Sequence, residues 1–131
     1  MTRRQAARRA EEVLTEVGLA DVADKRFDRY SSGMRARLSL ARALLTLPLV
    51  LLLDEPTRSL DPVSAGEFRK RVQRLAVDEG RAILFATHDL HEAAAVADRV
   101  VVLARGRVAA TAPGGWDSAA LEELLATASR R

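Results

Sequence analysis

The sequence predicts an α/β fold with a largely parallel sheet flanked by helices. Three observations carry that expectation. Residues 50–53 (VLLL) form a continuous apolar run, the pattern of a strand buried on both faces of a helix-covered parallel sheet. A second apolar run has its centre at 83–86 (ILFA). Around and between them lie segments whose apolar residues recur at helical spacing. Strand, helix, strand, helix, strand in that order is an α/β plan.

Taken in order, Ala6, Ala10, Val13 and Val17 share one helical face, which predicts a helix over 3–17 stopped by Gly18. Residues 19–30 are less periodic and read as a short helical turn and loop. After Tyr30-Ser31-Ser32-Gly33-Met34 a second helix is expected, with Met34, Leu38, Ala41 and Leu45 on its apolar face. Ser31 or Ser32 is its N-cap. Gly33, in the first turn, leaves room for a close approach by backbone or an anion. Pro48 separates this helix from the first strand.

The strand ends abruptly in Asp54 and Glu55, and a short polar loop leads to Asp61-Pro62. An acid followed by proline is a strong helix start. Ala65, Phe68, Val72 and Leu75 give that helix a buried stripe, and it should end near Gly80. The second strand, 81–87, finishes in Thr87-His88-Asp89, and an alanine-rich helix runs to about Ala97. Residues 99–104 and 107–111 read as a hairpin about Gly106. Pro113-Gly114-Gly115 breaks the chain. Asp117 or Ser118 then caps an amphipathic helix through Leu121, Leu124 and Leu125.

Bulk properties narrow the classes. The 131 residues suit one domain or part of a larger one, and 48% hydrophobic content suffices for a core. There is no cysteine, so a disulfide framework and a thiolate metal site are excluded. No apolar run reaches membrane-span length, and MTRRQAARRA has no apolar signal core after it; a cytoplasmic location is expected. Net charge is +3 and the pI about 10.1. The arginines are interleaved with acids, and one Trp, one Tyr and three Phe offer little surface for stacking bases. A solvated arginine-rich surface is therefore expected, not a nucleic-acid partner.

Two adjacent carboxylates at a buried strand's exit are costly unless water, a cation or hydrogen-bond donors meet them, and in open α/β sheets ligands bind there. Alone, Asp54 could merely end a strand, Asp61 cap a helix, and His88 be an ordinary polar residue. Together and in this order they suit phosphoryl transfer to water, where positioning and charge stabilisation are the main tasks.

The same residues resemble the motifs of the ATP-binding cassette (ABC) transporter ATPases. Tyr30-Ser31-Ser32-Gly33-Met34-Arg35 resembles the signature motif, residues 50–57 (VLLLDEPT) the Walker B strand, Ser59-Leu60-Asp61 the D-loop, and Ala86-Thr87-His88-Asp89 the switch-histidine loop. The resemblance spans about 11–110. It implies a P-loop NTPase-like parallel sheet, incomplete because the P-loop strand and the amino-terminal β subdomain are missing. Residues 1–47 would be the end of the helical subdomain, 48–112 part of the catalytic core, and 113–131 a carboxy-terminal helix.

By resemblance, Asp54 would hold Mg²⁺ through water, Glu55 would polarise the attacking water, and His88 would contact the γ-phosphate of ATP. Ser31, Ser32 and Gly33 would face the nucleotide of an opposing subunit, and Asp61 would communicate across the dimer. The implied partners are a second ABC ATPase subunit and a membrane permease, which would hold the protein at the inner face of the membrane. The signature wording departs from the common Leu-Ser-Gly-Gly-Gln at Tyr30, Ser32 and Met34, and is similar to that of some exporter-type cassettes. Met34 removes a polar side chain.

No Gly-x-x-x-x-Gly-Lys-Ser/Thr is present, and neither Lys25 nor Lys70 follows a glycine. The backbone cradle and lysine that hold ATP phosphates are therefore lacking. Two readings follow. The chain is part of an ABC ATPase that by itself binds ATP poorly and hydrolyses none, or a non-catalytic interaction module lending its signature helix to a complete cassette.

Overall fold

The computed structural model of the chain describes residues 2–129, the side chain of Ser129 excepted. It divides into two compact units, Met1–Ala86 and Thr87–Arg131.

In the first unit, helix α1 spans Arg3–Glu16. It opens with a capping box: Thr2 Oγ1 accepts from Gln5 N–H, and Gln5 Oε1 accepts from Thr2 N–H at 2.7 Å. Gly18, with φ +68°, turns the chain out of the helix. Two 3₁₀ turns, Ala20–Val22 and Phe27–Arg29, follow. Helix α2 is Ser32–Leu44, strand β1 Val50–Asp54, helix α3 Pro62–Val77 and strand β2 Ala82–Ala86. The strands β1 and β2 pair in parallel with Leu52 opposite Leu84 and Asp54 opposite Ala86. Val13, Leu44, Leu51 and Phe68, all at most 3% exposed, meet in the core. Ala65, Phe68, Val72 and Leu75 are buried as the stripe of α3 predicts.

Two expectations need correction. The strands are buried on one face, not two: Leu51 is buried, while Val50, Leu52 and Leu84 are 57%, 73% and 63% exposed. Side chains alternate along a strand, and only the face carrying Leu51, Leu53, Ile83 and Phe85 joins the core with the helices. The buried stripe of α2 is Gly33, Leu40, Ala41 and Leu44, with Leu45 exposed and Met34 and Leu38 at the margin. That helix packs against both α1 and α3, which rotates its buried face from the expected one. The segment 19–30 is short helical turns and loop, as expected, and it also supplies core residues: Leu19 and Tyr30 are buried, and the Tyr30 hydroxyl donates to Val22 C=O at 3.0 Å.

The second unit contains α4 (Leu90–Val96), an antiparallel pair β3 (Arg99–Ala104) and β4 (Arg107–Pro113), and α5 (Ser118–Ser129). Arg105 and Gly106 both have positive φ at the hairpin turn, as a tight two-residue connection requires. Val102 and Ala112 from the hairpin are buried, as are Leu121 and Ala128 of α5, whereas Leu125 is exposed. Asp117, not Ser118, caps α5 by accepting from Ala120 N–H at 2.8 Å. The strand β4 runs on through Pro113, and Gly114 packs directly on the backbone of Ala97 and Asp98 where a Cβ could not fit.

A cavity of about 200 Å³ in the first unit is lined by Glu16, Val17, Leu40, Leu44, Arg71 and Glu79, among others. Partial burial, then the Glu79 charge, raise the Glu16 carboxyl above its ordinary value of 4.5, against the opposing pull of Arg81 and Arg9. The residue is largely solvent-exposed, so screening keeps the effect modest. A raised folded-state value means the folded chain holds this proton more tightly than the unfolded chain. Its stabilising effect is full below about pH 4.5 and lost as pH rises through the raised value. Glu16→Gln should therefore raise the urea midpoint at pH 7, and its advantage should shrink to nothing below pH 4.5.

Candidate functional site

The candidate residues of the first unit are set by three element ends. Strand β1 delivers Asp54 as its last, exposed residue and Glu55 just beyond it, half-buried. Glu55 N–H extends the sheet ladder to Ala86 C=O at 2.9 Å, and its own carbonyl accepts from Arg58 N–H at 3.2 Å. Holding both contacts while the chain turns puts Glu55 at φ +44°. Left-handed backbone is uncommon outside glycine, and such strain, of order 1–3 kcal/mol, is concentrated at functional sites.

The second end is the start of α2. Ser31, extended at φ −65° and ψ 166°, accepts from Met34 N–H at 3.2 Å and is thereby the N-cap. The amides of a first helical turn and the helix dipole favour an anion. Arg37 holds this end from beneath: its guanidinium donates to Gly33 C=O at 3.3 Å and to Gly18 C=O at 3.1 Å. Arg35 lies over the Phe27 ring, 5.3 Å from its centre.

The third end is the start of α3. Asp61 Oδ1 accepts from Val63 and Ser64 N–H, both at 3.0 Å. A hydrogen bond from the Ser64 hydroxyl, then these amides, holds the Asp61 carboxyl below the ordinary aspartate range. An open cavity of about 520 Å³ connects the α2 and β1 ends, lined by Tyr30, Ser32, Arg35, Ser39, Glu55 and Ser59, among others.

The structure thus brings Ser32 and Glu55 to one cavity and sets Gly33 beside the helix that Asp61 caps. His88 belongs to the second unit, two residues past the end of β2. Its neighbour Asp89 is spent on capping α4, accepting from His91 and Glu92 N–H. Sequence reasoning overlooked Arg37 and Ser64. The second could have been found from Asp-x-x-Ser, a capping acid three residues before a hydroxyl.

Asp54 offers the hard oxygen donor that Mg²⁺ prefers, and that ion is usually held by one or two carboxylates together with phosphates and water. Among the described residues no group of three or more His, Cys, Asp or Glu could hold a metal alone. The donor set fits the protein's share of a Mg–nucleotide site. It does not supply a phosphate cradle.

The sequence profile of the ABC transporter family matches residues 2–58. The ABC transporter ATP-binding protein YdbJ of Bacillus subtilis is 43% identical over 110 residues, covering 84% of this chain and 36% of that protein. The phosphonates import ATP-binding protein PhnC 2 of Rhodopseudomonas palustris is 41% identical over 120 residues, covering 92% of this chain and 42% of the relative. A solved ATP-binding cassette, dimeric and bound to ADP and Pi after hydrolysis, superposes with a TM-score of 0.74 and 27% identity. It covers 86% of this chain and 49% of its own.

The strands and helices are those of a P-loop NTPase sheet, present in part. The chain belongs to the ABC ATPases and carries the carboxy-terminal part of a cassette. It spans roughly two fifths of the length of the two relatives above.

The strain at Glu55 is measurable. Glycine adopts φ +44° without a Cβ penalty, so Glu55→Gly should be more stable than Glu55→Ala by about 1 kcal/mol. Urea unfolding of the two variants gives the comparison, and equal midpoints would remove the strain.

Proposed function

We propose that these residues form part of the ATP-binding subunit of an ABC transporter, coupling ATP binding and hydrolysis to transport across a membrane. The carrying observation is Glu55, held in a left-handed turn at the strand exit next to Asp54 and opening on the cavity that Ser32 shares. Asp54 would hold Mg²⁺ through water, and Mg²⁺ would supply charge neutralisation on the phosphates. Glu55 orients a water and takes up its proton. His88 contacts the γ-phosphate. Ser31, Ser32 and Gly33 present their helix end to the nucleotide of an opposing subunit, and Asp61 shapes the loop that meets that subunit.

In this reading residues 1–47 close the helical subdomain, 48–112 belong to the catalytic core, and 113–131 pack as the final helix. The partners are a second ABC ATPase and a permease, which would keep the protein on the cytoplasmic face of the membrane. No helix among the described residues is long and apolar enough to cross a membrane. The export direction suggested by the Tyr30–Met34 wording gains no support from PhnC 2, an import protein by name.

Without a phosphate cradle the 131 residues do not bind ATP productively on their own. What they can do alone is lend the α2 end to a complete cassette, an interaction role that the intact N-cap at Ser31 supports. Association is measured with a complete ABC ATPase, such as PhnC 2, loaded with ATP. Ser31→Arg should weaken it at least tenfold, while Glu55→Gln should leave it within twofold. An unchanged affinity for Ser31→Arg would remove the role given to this helix end.

A further inference from the structure

Gly33 is buried in the first turn of α2, and what fills the space of its missing side chain is Ser64. A Cβ on Gly33 would lie 3.0 Å from Ser64 Oγ and 3.2 Å from Ser64 Cβ. Ser64 belongs to the first turn of α3, where its amide is bonded by Asp61 Oδ1 at 3.0 Å. The Ser31 hydroxyl is 4.0 Å from the same Gly33 point, so the N-cap of α2 and the first turn of α3 flank one small niche.

We infer that Ser64 is a positioning residue that couples the Asp61 loop to the Ser31–Ser32–Gly33 helix end within a single chain. Ser64 is short enough to enter the niche, and its backbone amide stays bonded to Asp61 Oδ1 while it does so. Side chains at van der Waals contact in a packed region transmit displacement, because there is no free volume to absorb it. A shift of the Asp61 loop therefore moves Ser64, and Ser64 bears on Gly33. Arg37 holds the carbonyl side of the same residue from beneath, so the two contacts together fix the direction of the first-turn amides. The inference rests on the proposed role of this helix end only for its functional meaning; the coupling itself is a property of the fold.

The coupling is read in the full 131-residue chain by amide NMR at neutral pH as a double-mutant comparison. Asp61→Asn should shift the Gly33 amide in the otherwise unaltered chain. In the Ser64→Ala background the same change should shift it less than half as much, and Ser64→Thr should restore the response. Ser64→Ala should retain the far-UV spectrum and a cooperative unfolding transition, and Ser64→Thr, which keeps the hydroxyl, guards against a packing defect in the alanine variant. A Gly33 shift that is the same in the Ser64→Ala background, or absent throughout, overturns the inference. A merely structural serine would lower stability without changing this cross-response. The association measurement with Ser31→Arg is independent: its failure would remove the nucleotide-facing role and leave the Asp61–Ser64–Gly33 coupling intact.

Discussion

The first unit depends on one-sided packing of a parallel strand pair. Leu51 and Leu53 of β1, with Ile83 and Phe85 of β2, join the core that also holds Val13, Leu44 and Phe68. Because the strands are parallel and in register, Asp54 stands opposite Ala86, and the next amide, that of Glu55, completes the ladder. The chain must then turn at once, and the turn falls on Glu55 itself. The apolar core thus fixes the acid's backbone, and the acid is one of the residues lining a cavity. Loss of packing at Leu51 would displace Glu55 as well as lower stability.

Polar groups in this region do two tasks at once. Asp61 is a helix cap whose Oδ1 accepts from two backbone amides, and in the proposed function it also shapes a loop that meets another subunit. Ser31 caps α2 and, in the proposed function, stands at the end offered to a nucleotide. Such dual use is economical physically: a capping oxygen is rigid, and a rigid group is already oriented when a ligand arrives. Asp61 and the α2 end are held in this way, whereas the phosphate cradle is not among these residues. That asymmetry separates what the chain can position from what it can bind.

Much of this was legible in the sequence. The stripe Ala65, Phe68, Val72, Leu75 and the start at Asp61-Pro62 gave α3 correctly, since helical period and capping chemistry are local signals. The motif residues also lie where the sequence put them relative to strand and helix ends. The sidedness of β1 was not legible, because an all-apolar run carries no alternation to show which face is covered. The burial of Leu19 and Tyr30 depends on tertiary contacts across an irregular segment. The positive φ of Glu55 was likewise invisible: glutamate gives no sign of left-handed backbone, which is imposed by bonds to Ala86 and Arg58. Ser64 was missed because its partner, Gly33, lies in another helix.

The central claim is that this chain holds the acid end of an ABC ATPase site without the means to bind its nucleotide. Phosphate release from Mg–ATP by the purified 131-residue chain tests it most directly. The account predicts no turnover above the rate of the Glu55→Gln chain. Measurable turnover by the unaltered chain that Glu55→Gln abolishes would contradict it.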